Sequence, residues 1–183
     1  MRNFKQLLPM IFLITVLSGC NRIEFAAQNT PYLNKLLEQR IQQPNIQIDP
    51  KFRAQKLLLD LDGDGTLDLV RVVKNTLNHK TGLEIIFGNH QRVEYLIAGK
   101  TLAGLSEDDL SIFQTYTIAP KHEKYVDLNV SMGENGDIPA MEDVPENQLV
   151  YLENDGIDIG MLESCGGGII YMKNNQFHWI QSS

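Results

Sequence analysis

Four aspartates fall within nine residues of the segment DLDGDGTLDLVR, which covers residues 60–71. Like charges repel at this separation, and a folded loop would hold the carboxylates closer still. Gly63 and Gly65 interrupt the acidic residues and permit backbone angles that other residues resist. The apolar run KLLLDLD enters the loop, and LDLVRVVKN, which alternates in the manner of a strand, leaves it. The chain must therefore make an acidic turn between strands and must offset the repulsion within it.

The spacing of these acidic residues is typical of a calcium-binding loop, because Ca²⁺ prefers about six to eight oxygen ligands. In the DxDxDG pattern the first, third and fifth ligands are carboxylates, the seventh is a backbone carbonyl and the ninth binds directly or through water. Ca²⁺ is thus the expected cofactor, and the predicted ligands are Asp60, Asp62, Asp64, Thr66 and Asp68.

Arg71 stands at the twelfth position, where an EF-hand has a bidentate glutamate, so the loop is not a standard EF-hand. Asp155, Asp158 or Glu163 could complete the coordination sphere. The alternative is a solvated acidic turn without an ion, in which the Asp-Gly pairs supply only turn geometry. Residues 60–72 resemble the DxDxDGxxD loops of integrin-α-like FG-GAP repeats and dockerin-type modules. That resemblance implies a structural Ca²⁺ in a loop that joins or caps strands.

The N-terminus has the order of segments found in a lipoprotein signal peptide. MRNFKQ carries two positive charges, LLPMIFLITVL is apolar but short for a transmembrane helix, and LSGC follows. LSGC resembles the lipobox of bacterial lipoproteins, which implies a signal peptide over residues 1–19 and acyl chains such as palmitate on Cys20. Asn21 then implies sorting to the outer membrane. An ordinary secretory signal and a short anchor are the alternatives.

Composition limits the class of the mature protein. A chain of 183 residues with a 43% hydrophobic fraction is expected to form one globular domain, here residues 30–183, behind a lipidated tether over residues 20–29. The net charge of −7 argues against a nucleic-acid partner, which requires a basic face. The expected attachments are instead the membrane, through Cys20, and a protein partner in the envelope.

The predicted fold class is α+β, mainly β, with an N-terminal helix packed on a mostly antiparallel sheet. Thr30 is a good N-cap, Pro31 suits the first helical position, and leucines recur at helical spacing over residues 31–42. Later segments read as strands, and GGIIYMK and QFHWIQ, joined by Asn174 and Asn175, predict a C-terminal β-hairpin. The other strand candidates are LEIIFGN, VEYLIAG, SIFQTYTIAP and KYVDLNV.

The C-terminal segment ESCGGGIIYMKNNQFHWIQ permits two further interpretations. Cys165 could be a nucleophile with His178 or His122 as its base, although a lone thiol is more often a small buried residue. Trp179 and Tyr171 could form a stacking platform for a sugar, although aromatic residues in such a strand are more often core.

Over most of the mature chain, the lipobox, the acidic loop, GLEIIFGN and the C-terminal segment resemble a set of proteobacterial lipoproteins without an established activity. The leading hypothesis is a lipid-anchored cell-envelope protein with a calcium-stabilised, β-rich domain that acts as a binding module and not as an enzyme. An immunity or inhibitor lipoprotein against a toxic effector is its specific form. The alternatives are a periplasmic hydrolase that uses Cys165 and a structural component of outer-membrane assembly.

Overall fold

The computed structural model describes residues 45–89, 92–132, 137–162 and 166–182. The chain divides into two units, Met1–Gln43 and Pro44–Ser183. Every described residue belongs to the second unit. The predicted signal peptide, the tether, Cys20 and the segment 31–42 lie outside the described residues.

The described part of the second unit consists of short strands joined by turns. Its helical elements are one α-helical turn, α1 (Leu128–Ser131), and four three-residue 3₁₀ turns. The strands are β1 (Ile46–Ile48), β2 (Lys56–Leu59), β3 (Asp68–Asn75), β4 (Thr81–Ile86), β5 (Val93–Ile97), β6 (Thr115–Ala119), β7 (Lys124–Val126), β8 (Leu149–Tyr151), β9 (Gly156–Gly160), β10 (Gly167–Lys173) and β11 (Gln176–Gln181).

The strands form two larger antiparallel sheets and one separate pair. In the first sheet β1, β3, β4 and β5 are neighbours in that order, and β2 pairs with the opening half of β3. In the second sheet the order is β11, β10, β9 and β6. β7 pairs only with β8 among the described strands. Leu59, the last residue of β2, lies opposite Asp68, the first residue of β3, so the acidic segment between them closes a hairpin.

One apolar core takes side chains from both larger sheets. Val70 and Val72 of β3 share it with Ile157 and Ile159 of β9, as expected when the inner faces of two sheets alternate apolar side chains toward each other. A smaller cluster lies on the other face of the second sheet and joins that sheet to β7 and β8. It contains Ala119, Leu152, Ile169 and Ile180, with Tyr125, Val150 and Tyr171 against it.

The predicted α+β class is wrong. Among the described residues 44% are in strands and 12% are helical, and no helix reaches 7 residues, so the structure shows no N-terminal helix on the sheet. The physical reason is that the second sheet buries the inner face of the first, the role that the sequence analysis assigned to a helix over residues 31–42. That segment itself lies outside the described residues.

The individual strand predictions succeed where alternation and turn residues agree. The predicted C-terminal hairpin is confirmed: β10 and β11 pair in register from Gly168 opposite Gln181 to Lys173 opposite Gln176. KYVDLNV is a strand only over β7, because the Asp127 side chain accepts a hydrogen bond from the N–H of Asn129 and caps α1. The sequence analysis did not predict β1, β8 or β9, which are short or rich in glycine.

Candidate metal centre

The acidic loop, residues 60–67, joins β2 to β3 and is anchored in the core. Leu61 is fully buried, so the loop folds back over the apolar cluster that both sheets share. Asp60 is 8% exposed and Asp68 is 0% exposed. The solvated-turn alternative therefore does not describe these two carboxylates, because burying a charge is costly unless it has partners.

Backbone N–H groups supply the first set of partners. The Asp60 carboxylate accepts hydrogen bonds from the N–H groups of Gly63, at 2.9 Å, and of Gly65, at 3.2 Å. Both glycines have positive φ, +77° and +82°, a conformation that glycine adopts without the steric cost of a Cβ. The loop thus curls around the first aspartate, as the position of the two glycines in the sequence predicts.

Asp68 ties this loop to the far end of β4. One carboxylate oxygen accepts from the N–H of Leu61 at 2.9 Å, and the other accepts from the N–H of Gly88 at 2.8 Å. Burial raises the pKa of Asp68 above its ordinary value, the two N–H bonds oppose that shift, and the charges of Asp62 and Asp64 add to it. The charged form of Asp68 is therefore electrostatically disfavoured, and a nearby cation would stabilise it.

Three of the predicted ligands converge. Asp60, Asp62 and Asp68 each offer a carboxylate oxygen, and these oxygens lie within 4.8 Å of one another. Two ligands about 2.4 Å from a calcium ion on opposite sides are about 4.8 Å apart, so the cluster has dimensions that fit a shared cation. At 4.8 Å two unit charges repel by roughly 3.5 kcal/mol for an effective dielectric constant near 20. Asp60, Asp62 and Asp68 could hold a metal ion.

The other two predicted ligands have different contacts. The Asp64 carboxylate accepts from the N–H of Thr66 at 2.8 Å, from the Thr66 hydroxyl, and from the side-chain amide of Asn89 at 2.9 Å. The hydrogen bonds from Thr66 lower the pKa of Asp64, with a smaller contribution from Asn89. Asp64 does not belong to the converging group, and its contacts instead hold the outer turn of the loop.

Two residues far along the chain also reach the loop. Asp155, which immediately precedes β9, accepts a hydrogen bond from the N–H of Asp60 at 3.2 Å and donates its own N–H to the Asp60 carbonyl at 3.1 Å. Its second carboxylate oxygen accepts from the N–H of Lys121 at 3.1 Å. The Lys121 ammonium lies 3.7 Å from the Asp60 carboxylate. Asp155 and Lys121 thus connect the loop to the second sheet.

The other candidates for a completing ligand are Asp158 and Glu163. Asp158 lies on β9, where its carboxylate accepts from the Thr117 hydroxyl at 3.5 Å and burial raises its pKa. Glu163 lies outside the described residues. Arg71 binds Glu84 across the first sheet.

The described residues do not bring a nucleophilic centre together. Cys165 lies outside them. The His178 ring lies 5.5 Å from the ring of Tyr171, and His122 Nδ1 lies 3.0 Å from the Tyr151 hydroxyl. Trp179 is 6% exposed and belongs to the core, so it does not offer a stacking face for a sugar.

Sequence reasoning missed the contributions of Lys121, Asn89 and the backbone of Gly88. These residues lie between 20 and 61 positions from the aspartates they contact, and no local motif marks them.

No family model, curated protein or solved structure matches the chain. Within the part of the chain that the structure describes, no helix has the length and apolar character to cross a membrane.

Proposed function

We propose that this protein is a lipid-anchored cell-envelope protein whose β-rich domain is stabilised by a bound Ca²⁺ and acts as a binding module. The observation that carries the proposal is the convergence of Asp60 and Asp62, in the acidic loop, with Asp68 at the start of β3. Asp68 reaches the residue two positions beyond β4, and Asp60 contacts the residue just before β9. An ion at this point would fix the loop from which these contacts to the first and second sheets are made.

The donor chemistry favours calcium over other divalent ions. All the converging donors are carboxylate oxygens, which suit hard cations, whereas Zn²⁺ prefers the nitrogen and sulfur of His and Cys. Mg²⁺ demands near-ideal octahedral geometry and releases its waters reluctantly, while Ca²⁺ accepts irregular sites completed by water. Each carboxylate has about four lone-pair positions, so the two N–H groups bound by Asp60 and by Asp68 leave capacity for an ion.

The location and the partner rest on the sequence. Cleavage before Cys20 would remove Arg2 and Lys5 and no acidic residue, which changes the charge from 16 − 23 = −7 to 14 − 23 = −9. Acyl chains on Cys20 would anchor the mature protein to the outer membrane. A strongly acidic domain attracts basic partners electrostatically, which supports the immunity or inhibitor form of the hypothesis.

Calcium titration of the full chain tests the metal site. If the dissociation constant is about 10⁻⁴ to 10⁻³ M, as at extracellular sites, about 10 mM Ca²⁺ stabilises the folded state by roughly 1.4–2.7 kcal/mol. We expect calorimetric heat on titration and a melting temperature higher by roughly 3–10 °C than in EDTA. Mg²⁺ at the same concentration should have a smaller effect.

Two matched variants separate the converging ligands from the rest of the loop. Asp62→Asn removes a carboxylate of the cluster, yet its amide oxygen can still accept from the N–H of Asp64. It should abolish most of the calcium response, and because it relieves repulsion within the cluster it should leave stability in EDTA equal or higher. Asp64→Asn should retain most of that response. Equal melting temperatures of the unmodified protein in EDTA and in calcium, together with no heat of binding, would refute the metal site.

A further inference from the structure

A polar groove opens beside the metal centre. Its volume is about 430 Å³, and it lies between the acidic loop, the turn that precedes β9 and the turn of the C-terminal hairpin. Asp62 is common to the groove and to the cluster of converging carboxylates. An ion held by that cluster would therefore be adjacent to whatever occupies the groove. The polar side chains that line it are Asp62, Glu153, Asn154, Lys173, Asn174 and Asn175.

The walls of the groove are fixed by backbone constraints. Asn174 and Asn175 have φ of 51° and 62°, the left-handed conformation that a two-residue hairpin turn requires. On the opposite side the Asn154 amide packs so closely on Gly63 that a Cβ there would lie 2.4 Å from its oxygen. The backbone of the hairpin turn therefore holds one wall of the groove in a defined conformation, which lowers the entropic cost of binding there.

The lining favours a neutral ligand rich in hydroxyl groups. Three side-chain amides offer donors and acceptors together, which matches hydroxyls that also do both. Among the side chains that line the groove, the opposite charges of Glu153 and Lys173 balance, and a bound calcium ion would neutralise Asp62. The lining itself then carries no uncompensated charge that would select a strongly charged ligand.

We propose that this groove binds a neutral saccharide, one of whose hydroxyls completes the coordination of the calcium ion next to Asp62. The proposal rests on the calcium site of the proposed function. It differs from the aromatic sugar platform predicted from the sequence, because Trp179 is buried in the core and the six polar side chains of the groove carry the recognition. Free oligosaccharides and glycans of the cell envelope share this chemistry.

The test uses the ¹⁵N-labelled full chain, purified in a zwitterionic detergent without a sugar head group. Maltotriose and chitotriose are titrated separately, so that a plain glycan and an N-acetylated glycan of the envelope type are distinguished. We expect the side-chain amide signals of Asn154, Asn174 and Asn175 to shift with a dissociation constant of about 1 mM for at least one probe. Removal of calcium should weaken binding by about tenfold or more.

Variants localise the effect. Asn175→Gly suits the hairpin turn and removes one groove amide, so it should keep the fold and weaken saccharide binding several-fold. Asn129→Ala removes an amide on α1, away from the groove lining, and should bind as the unmodified protein does.

Two results would overturn the proposal while the calcium site stands. One is a measurable heat of calcium binding without saccharide-induced shifts of the amide signals. The other is saccharide binding that neither Asn175→Gly nor removal of calcium changes. Shifts induced by pentalysine alone would also overturn it, since they would indicate a cationic ligand. If calorimetry detects no heat of calcium binding, the proposed function itself fails, and the saccharide site depends on it.

Discussion

Asp68 is the aspartate whose replacement should most disturb the loop, because it is fully buried and holds two backbone N–H groups. Leu61 donates to one carboxylate oxygen at 2.9 Å and Gly88 to the other at 2.8 Å. In Asp68→Asn only one oxygen remains, so the new NH₂ group faces one of these N–H donors. A buried donor without a partner costs about 1–3 kcal/mol.

Part of that cost is offset, because the substitution removes a desolvated charge that Asp62 and Asp64 repel. We therefore expect Asp68→Asn to lower the free energy of unfolding by about 1–2 kcal/mol in EDTA. At roughly 2–4 °C per kcal/mol for a domain of this size, the melting temperature should fall by about 2–8 °C. The variant should also lose most of its response to calcium.

The assay is thermal and urea unfolding of the full chain in EDTA, followed by circular dichroism and compared with Asp64→Asn. Asp64 is exposed, so its asparagine should cost much less stability than Asp68→Asn. Unchanged stability of Asp68→Asn in EDTA would refute the reasoning, because it would mean that the two N–H groups find equal partners without the carboxylate. Equal losses for both variants would refute it as well.

Three other predictions test separate parts of the protein. Gly63→Ala and Gly65→Ala should each destabilise by about 1 kcal/mol, because both glycines have positive φ. The loss should be somewhat larger for Gly63→Ala, whose Cβ would also force the Asn154 side-chain amide to move. Chemical denaturation measures both, and a larger loss for Gly65→Ala would contradict the role of that contact. Burial raises the pKa of Asp158 above 3.8, so its contribution to stability is present below 3.8 and is lost as pH rises through the folded pKa. Asp158→Asn should therefore gain stability relative to the unmodified protein as pH rises through that window, and a difference independent of pH in melting curves would contradict this. Cys20→Ala should abolish incorporation of labelled palmitate and release the protein from membranes, and continued labelling would show that the lipid is elsewhere.

Many of the strands could be predicted from the local sequence. β3, β4, β5, β10 and β11 were predicted because alternating apolar residues and turn residues act over a few positions. The register of the C-terminal hairpin follows from its two-residue Asn turn for the same reason. β9 was not predicted, because its sequence GIDIG has two glycines that weaken strand propensity, and the packing that stabilises it comes from distant residues.

The sequence by itself determined that four aspartates and two glycines form a tight turn between strands, since charge spacing and glycine freedom are local properties. Only the tertiary structure decided that Asp60, Asp62 and Asp68 converge while Asp64 binds Thr66 and Asn89. The same holds for the second sheet that closes the core and for Asp155, which reaches the Asp60 backbone across 95 positions of the chain. These contacts depend on how two sheets pack, and that packing depends on side chains distributed over the whole domain and not on any one segment.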